Sequence, residues 1–295
     1  MKKVLVVGCK GMAGHVVKIY LERTRNFDVW GLARNVKSES NLINVDVTDI
    51  DELENILKIG AFDVVINCIG LLNNAAENNP ELAVWFNSYF PQLLASFGVK
   101  YNFKLIHLST DCVFSGKEGG YTEDSFKDGI GFYAQSKALG EVTNNKHLTF
   151  RTSIIGPELK KEGIGLFHWF MNQSGVISGF TEAYWTGVTT IELAKAINES
   201  IVQELTGLYH LTNNSRISKH ELLLILNRLF RSNEVEITPI NDYRIDKSLI
   251  NSRKDFDHIT PSYTCMIDEM KEWMLRYSRL YNHYKAKSEL DNSLF

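Results

Sequence analysis

Over the first 155 residues, apolar positions fall into short β-branched runs separated by stretches in which they recur every three or four places. Runs of the first kind fit strands and the intervening periodicity fits helices, so the alternation reads as repeated βαβ units. Strands are expected at 3–7, 29–32, 42–45, 63–68, 104–108 and 148–152. Helices are expected at 14–21, 51–59, 87–97 and 133–143, with Thr48 or Asp49 capping the second. Strands rich in Val, Ile and Leu on both faces belong in a parallel sheet covered on both sides. The expected fold class is therefore α/β, a doubly wound parallel sheet of the Rossmann type.

The pattern changes after Gly156-Pro157. Residues 160–190 carry Gly163, Gly165, Gly175, Gly179 and Gly187 among aromatics and read as loop-rich. A helix is expected at 190–204, a strand at 207–211, a helix at 219–230 and an amphipathic tail over 262–284. The Leu222–Leu226 stripe and Met266, Met270 and Met274, at helical spacing, read as core. No Pro/Ser-rich linker separates the halves. The division expected is a dinucleotide-binding domain at 1–156 and a smaller α/β substrate-binding lobe at 157–295, packed on the first, with the chain free to cross back.

Composition narrows the class. Of 295 residues, 44% are hydrophobic and 23% charged, which is too apolar for a disordered chain. No apolar run approaches the roughly 18 residues of a membrane span, and the run that follows Met1-Lys2-Lys3 stops at Gly8, too soon for a signal peptide. A net charge of −3 leaves no footprint for nucleic acid. Four cysteines lack metal-ligand spacing, and no H-E-x-x-H or carboxylate cluster marks a metal site. A cytoplasmic protein without metal, membrane or nucleic-acid partner is expected. A homodimer is the expectation from the frequency of that assembly alone.

Gly8-Cys-Lys-Gly11-Met12-Ala-Gly14 follows the first strand and opens the first helix. Glycines there make a tight turn, admit a pyrophosphate to backbone N–H groups, and let helix and strand pack closely. Gly8, Gly11, Met12 and Gly14 are thus the expected cofactor cradle. Arg34 stands near the end of the second strand, where an acid would hold an NAD ribose; a guanidinium suits the 2′-phosphate of NADPH. An exposed surface arginine is the alternative, so NADPH is preferred and NADH still admitted. Asp46 and Val47 end the third strand, either at an adenine ring or in a plain capping loop.

Tyr133 and Lys137 lie one helical turn apart on one face. A phenol is a poor acid or base at neutral pH, and a nearby ammonium favours its ionisation; the same lysine can bond a nicotinamide ribose. Ser109-Thr110-Asp111 stands at a strand end, where a hydroxyl can hold a carbonyl oxygen while tyrosine protonates it. Asp111 either assists that orientation or bonds the following loop. Trp185 either contacts substrate or packs the lobe, and Arg253 either meets a nucleotide phosphate or forms a surface ion pair.

These segments resemble the extended short-chain dehydrogenase/reductases, and among them the dTDP-4-dehydrorhamnose reductase branch. The matching pieces are Gly8–Gly14, Asn67-Cys68-Ile69-Gly70, Ser109–Phe114, Tyr133–Lys137 with Gly140-Glu141, Arg151-Thr-Ser153, and Trp185–Thr190. The resemblance covers nearly the whole chain. It implies Thr110, Tyr133 and Lys137 as the catalytic triad, nicotinamide contacts near Cys68, Ile69, Gly70, Ser153 and Ile154, and Asn87 lining the site. Cys112 stands where sugar-nucleotide dehydratases carry an acid and rhamnose reductases an aromatic, and Ile154 replaces a tryptophan. The segments 165–170 and 253–256 look closer to reductases of UDP-linked N-acetylated 6-deoxy sugars. The chain leaves no room for the β-barrel epimerase domain that some of these carry.

The expected function is NADPH-dependent reduction of the C4 keto group of a UDP- or dTDP-linked 4-keto-6-deoxyhexose for surface-polysaccharide synthesis. Two rivals stay open: an epimerase that retains its NAD, and a non-catalytic nucleotide-sensing subunit, as in one branch of the family.

Overall fold

The computed structural model describes residues 1–284, so the last eleven positions of the expected 157–295 lobe lie outside the described residues. β1 (Lys2–Val7) is buried throughout Val4–Val7. The chain continues through α1 (Met12–Thr24), β2 (Phe27–Ala33), β3 (Leu42–Asn44), α2 (Ile50–Gly60) and β4 (Val64–Asn67). Asp49 caps α2, accepting from the Glu52 N–H at 3.0 Å. Then come α3 (Asn73–Asn78), α4 (Pro80–Ala83), α5 (Phe90–Lys100), β5 (Lys104–Ser109), α6 (Phe132–Leu139) and β6 (Leu148–Arg151).

Beyond Gly156 the structure is more ordered than a loop-rich reading predicts. After β7 (Ile154–Ile155) come α7 (Leu166–Met171), β8 (Val176–Phe180), β9 (Ala183–Trp185) and β10 (Val188–Thr189). The remainder is α8 (Thr190–Val202), β11 (Gly207–His210), β12 (Ile217–Ser218), α9 (Lys219–Phe230), β13 (Glu236–Ile240), β14 (Ile245–Asp246), α10 (Tyr263–Arg276) and a final 3₁₀ segment, Ser278–Tyr284. Strands here are two to five residues long and find partners far away in sequence, β13 on β8 and β14 on β9. Short runs with distant partners leave little local periodicity to read.

The main sheet has the order β11-β6-β5-β4-β1-β2-β3, all parallel. Strand order reverses between β1 and β4, which opens a crevice at their C-terminal ends. Two elements from beyond Gly156 return to this unit: α8 packs on α1, and β11 extends the sheet beside β6. One continuous apolar core accordingly runs from Val4 on β1 to Met270 on α10 and takes in Leu222, Leu226 and Met266. No helix among the described residues is long and apolar enough to cross a membrane.

The helix expected at 87–97 begins earlier, with Pro80 at the start of α4, and widens into a π-type turn over Val84–Tyr89 before α5. That turn carries Asn87. The helix expected at 133–143 stops at Leu139, because Glu141 leaves the helical path to meet Arg151 on β6.

The segment before α10 is held to α8 by charge. His258 lies 2.8 Å from the Glu192 carboxylate and 2.6 Å from that of Glu199. Burial opposes the imidazolium, but the two carboxylates outweigh it and raise its pKa above the ordinary value. A raised folded pKa gives stability that is complete below the unfolded pKa, about 6.5, and lost as pH rises through the folded value. The melting temperature should therefore fall between pH 6 and pH 8.5, and His258→Gln should flatten that decline. An equal slope in the variant would show that this contact does not carry it.

Candidate active site

The crevice at the sheet's switch point holds a cavity of about 860 Å³, lined by the Gly8–Gly11 turn, Arg34, Asp46, Val47 and the Cys68–Gly70 loop. Gly8 has φ +81°, and a Cβ there would sit 2.8 Å from the Ile69 side chain; one on Gly14 would sit 2.2 Å from the Gly8 carbonyl oxygen. The turn therefore admits only glycine at both places. Gly11 caps α1 without a side-chain acceptor, leaving first-turn N–H groups facing the crevice. Met12, half-buried, is the first residue of α1 and packs toward Gly165 of the second half.

Arg34 projects from the end of β2 with 70% of its side chain exposed, 3.5 Å from the Asp46 carboxylate. The Thr48 backbone and hydroxyl both donate to Asp46, which with Arg34 hold the carboxyl below its ordinary pKa. Asp46 is thus engaged in the loop that caps α2 and also lines the cavity wall. The cavity, glycine cradle, open helix terminus and exposed guanidinium fit a dinucleotide bearing a 2′-phosphate.

Beside this cavity, Tyr133 lies next to Thr110, and Lys137, one turn along α6, faces the Gly70 loop. Lys137 is buried and donates to the Leu108 carbonyl at 2.6 Å; burial lowers its pKa to about 8. A Cβ on Gly70 would stand 3.9 Å from its ammonium, so Lys137 faces the loop that lines the cavity. The Tyr133 phenol meets the Thr110 hydroxyl. Burial raises the phenol's pKa, neighbouring Cys112 and Asp111 add to the rise, and the Thr110 contact opposes it. The expected lowering by Lys137 is corrected here: desolvation dominates, and Tyr133 is held as a protonated donor. Burial, with Asp111 beside it, likewise pushes the Cys112 thiol up to about 11, so it is no thiolate nucleophile at neutral pH.

Asn87 is fully buried and clamps the cavity loop, accepting from the Leu71 N–H at 2.8 Å and donating to the Leu71 carbonyl at 2.9 Å and to Ser136 at 3.1 Å. It positions the wall with its amide already spent. Asp111 accepts from the Thr110 hydroxyl at 3.1 Å and is buried beside it. Trp185 is buried against Tyr263 and under the Lys219 ammonium, 5.3 Å from its ring centroid. Lys219 itself escaped the sequence reading, because a lone lysine opening a helix looks like any solvated one. Ser153 directly precedes β7, which Ile154 opens, and the Ser153 carbonyl accepts from the Val188 N–H at 2.9 Å.

Arg253 is not brought to the site. Its guanidinium donates to the Thr206 and Leu208 carbonyls at 2.7 and 2.8 Å and pairs with Asp255. Those carbonyls mark the N-terminal end of β11, whereas Thr110 stands at the C-terminal end of the sheet. The arginine was expected at a nucleotide phosphate; the pull of two backbone carbonyls and a carboxylate accounts for its position instead. Among the described residues, no group of three His, Cys, Asp or Glu side chains is placed to hold a metal ion.

Beneath the catalytic end lies a buried ion pair. Arg151 forks onto Glu141 with both bonds at 2.8 Å, and Ser109 and Lys127 donate to the same carboxylate at 2.7 and 3.1 Å. Burial pushes the Glu141 pKa up, but these partners outweigh it and hold it below the ordinary value. Arg151 also meets His210 at 2.7 Å. Burial and that cation lower the His210 pKa to about 4, so the ring is neutral, donates from Nδ1 to the Ile250 carbonyl and accepts from Arg151 at Nε2.

Sheet order, glycine turn and the Tyr133/Lys137 helix define an extended short-chain dehydrogenase/reductase. The profile of the RmlD substrate binding domain matches residues 1–254, and the chain belongs to that family. A probable low-salt glycan biosynthesis reductase, Agl14 of Haloferax volcanii, is 26% identical over 226 residues, covering 72% of this chain and 75% of that protein. A dTDP-4-dehydrorhamnose reductase of Mycobacterium tuberculosis is 38% identical over 104 residues, 32% of this chain and 33% of that protein. The beta subunit of methionine adenosyltransferase 2 from Xenopus laevis is 23% identical over 256 residues, 82% of this chain and 76% of that one. Among solved structures, a hypothetical dTDP-4-dehydrorhamnose reductase from Sulfolobus tokodaii superposes with TM-score 0.75 at 25% identity, over 89% of this chain and 98% of that one. The Bacillus anthracis reductase in complex with NADP shares the fold, with TM-score 0.75 at 21% identity, over 92% and 98% of the two chains.

Removing one partner of a buried ion pair strands the other, at a cost of roughly 3–5 kcal/mol. Glu141→Ala should lower stability by about that much in a denaturant titration. A lowered folded pKa also means that the wild-type contribution holds above the unfolded value, about 4.3, and is lost as pH falls through the folded one. Denaturation midpoints should drop on acidification below about pH 4.5 in wild type, and less steeply in Glu141→Ala.

Proposed function

We propose that this chain is an NADPH-dependent reductase of the C4 keto group of a nucleotide-linked 4-keto-6-deoxyhexose, dTDP- or UDP-linked, serving polysaccharide synthesis. The observation that carries this reading is the Tyr133 phenol beside Thr110, one helical turn from Lys137, whose ammonium faces the Gly70 loop of the crevice that the glycine turn also lines. The dTDP-4-dehydrorhamnose reductases among the relatives and the complex with NADP support it.

When bound, NADPH supplies a hydride for the keto carbon. Gly8, Gly11 and Met12 would hold its pyrophosphate side, with Gly14 keeping helix and strand close beneath them, Arg34 would meet its 2′-phosphate, and Asp46 and Val47 its adenine end. Cys68, Ile69 and Gly70 wall the nicotinamide side, and Lys137 holds the ribose. Tyr133 donates its proton to the keto oxygen as negative charge develops there, while Thr110 orients that oxygen. The Thr110 hydroxyl, which donates to Asp111 in the free chain, turns its proton from Asp111 to that oxygen when substrate binds. The part of the chain after Gly156 would flank the sugar, with Trp185 packed inside it against Tyr263 rather than on the substrate, the second of its two expected roles.

A regulatory reading, in which the same cradle senses a nucleotide without turnover, is favoured by the long match to the methionine adenosyltransferase subunit. Oxidation of NADPH by 4-keto-6-deoxy sugars, made in situ from dTDP- and UDP-hexoses by their dehydratases, separates the two. Turnover with one sugar establishes the reductase and names its nucleotide. Bound NADPH without turnover on either gives the regulatory reading. Tyr133→Phe should cut turnover by at least about 100-fold with NADPH affinity unchanged, and full activity would overturn the mechanism. Arg34→Ala should weaken NADPH about tenfold and leave NADH unaltered, since a charge-assisted contact to the 2′-phosphate is lost; equal loss for both would remove Arg34 from that role.

A further inference from the structure

α6 begins without a cap of its own. Gly131 stands at the cap position with no side chain to offer, and the N–H groups of Phe132 and Tyr133 that follow are taken by one carboxylate from another element. Glu77, on α3, accepts from each at 3.1 Å, one oxygen per N–H. A Cβ on residue 131 would lie 2.6 Å from that carboxylate, so the glycine leaves the room the contact needs. A charged acceptor in this place also meets the positive end of the helix dipole.

The backbone of Tyr133 is held on its other side as well. Its carbonyl accepts from the Ser136 hydroxyl at 3.2 Å, and that hydroxyl accepts from the Asn87 amide at 3.1 Å. Both ties lead back to one segment. Asn87 clamps Leu71, and α3 starts two residues further on, so the loop that walls the cavity at Cys68–Leu71 runs directly into the helix that carries Glu77. α6 is only eight residues long and Tyr133 is the second of them. It therefore sits in the turn that frays most readily without a cap.

We propose that Glu77 is a positioning residue: by closing the start of α6 it holds Tyr133 in register with the cavity loop that follows β4, and so sets the phenol's place relative to the cofactor. This rests on the reductase reading above. A proton donor has to stand within a fraction of an ångström of its working place, and a displacement of about 1 Å costs on the order of 100-fold in rate. Glu77 itself is exposed and stands outside the apolar core. Its loss should therefore show in turnover before it shows in stability or cofactor affinity.

The test compares wild type, Glu77→Ala and Glu77→Gln. It reads kcat and KM for NADPH oxidation with dTDP- and UDP-linked 4-keto-6-deoxy sugars, NADPH affinity by titration, melting temperature, and amide hydrogen exchange at Phe132 and Tyr133. Alanine removes both acceptors, whereas glutamine keeps the length and one oxygen. In Glu77→Ala, kcat should fall about tenfold or more, with KM, NADPH affinity and melting temperature close to wild type. The two amides should exchange at least about tenfold faster. Glu77→Gln should fall between the other two in both readings. Full kcat in Glu77→Ala, or unchanged exchange at the two amides, would overturn the inference. So would a fall in kcat accompanied by equal loss of NADPH affinity and a lowered melting temperature, which marks a merely structural contact. Wild type that binds NADPH but oxidises it with neither sugar would overturn the reductase reading and this inference together; an active wild type with an equally active Glu77→Ala overturns this inference alone.

Discussion

The catalytic end of the molecule rests on one buried ion pair, Glu141 with Arg151. A charge removed from water is costly unless its partners replace the lost hydration bonds, and the Glu141 carboxylate has four donors in their place. Each carboxylate oxygen of Glu141 accepts from Arg151 and from one further donor, Ser109 on β5 or Lys127 in the loop before α6. Arg151 is at the end of β6, with its guanidinium 4.9 Å from the Phe114 ring centroid. One carboxylate therefore ties the ends of two strands to the helix that carries Tyr133 and Lys137. It also ends that helix: the chain leaves α6 so that Glu141 can turn inward, and Thr149 then secures the following residue through both backbone atoms of Val142.

From that pair the order spreads to the second half of the chain. A neutral His210 reads the fixed donors of Arg151 on one side and the Ile250 carbonyl on the other. Glu123 accepts from the His210 and Ser252 backbones, and so closes the loop after β5 onto β11. β11 belongs to the main sheet although its sequence lies within the smaller lobe, because His210 and Arg151 need each other at the same strand level. Arg253 does the corresponding work at the opposite end of β11. The site and the lobe are thus coupled through polar contacts that have no freedom to rearrange cheaply.

The first half was largely legible in the sequence because its information is local. β-branched runs, a glycine turn and a capping Asp49 state their own conformations, and the switch-point crevice follows from strand order. Thr110, Tyr133 and Lys137 were legible as spacing. What could not be read was side-chain destination. Arg253 and Lys219 are both cations with polar neighbours in sequence, and only the fold decides that one is spent on the Thr206 and Leu208 carbonyls and the other lies over the Trp185 ring. Asn87 was expected at the site and is there, yet as a brace for Leu71. Of the short strands after Gly156 only β11 was expected; the others were missed because two to five residues paired over long distances carry no period of their own.

The same distinction separates how the two ends of the crevice work. The cofactor end is made of backbone: glycines that leave no room for a Cβ, and helix N–H groups without a cap. Such a surface recognises phosphate by shape and dipole and tolerates change in its side chains. The reacting end is made of desolvated side chains whose protonation is decided by burial. Tyr133 is kept protonated, Cys112 is kept a thiol, and Lys137 is held by a carbonyl with its pKa at about 8. Burial keeps the resting phenol protonated and makes its proton costlier to release. The proton can therefore pass only to an oxygen whose own basicity rises as it gains charge, which is what hydride delivery to a carbonyl produces.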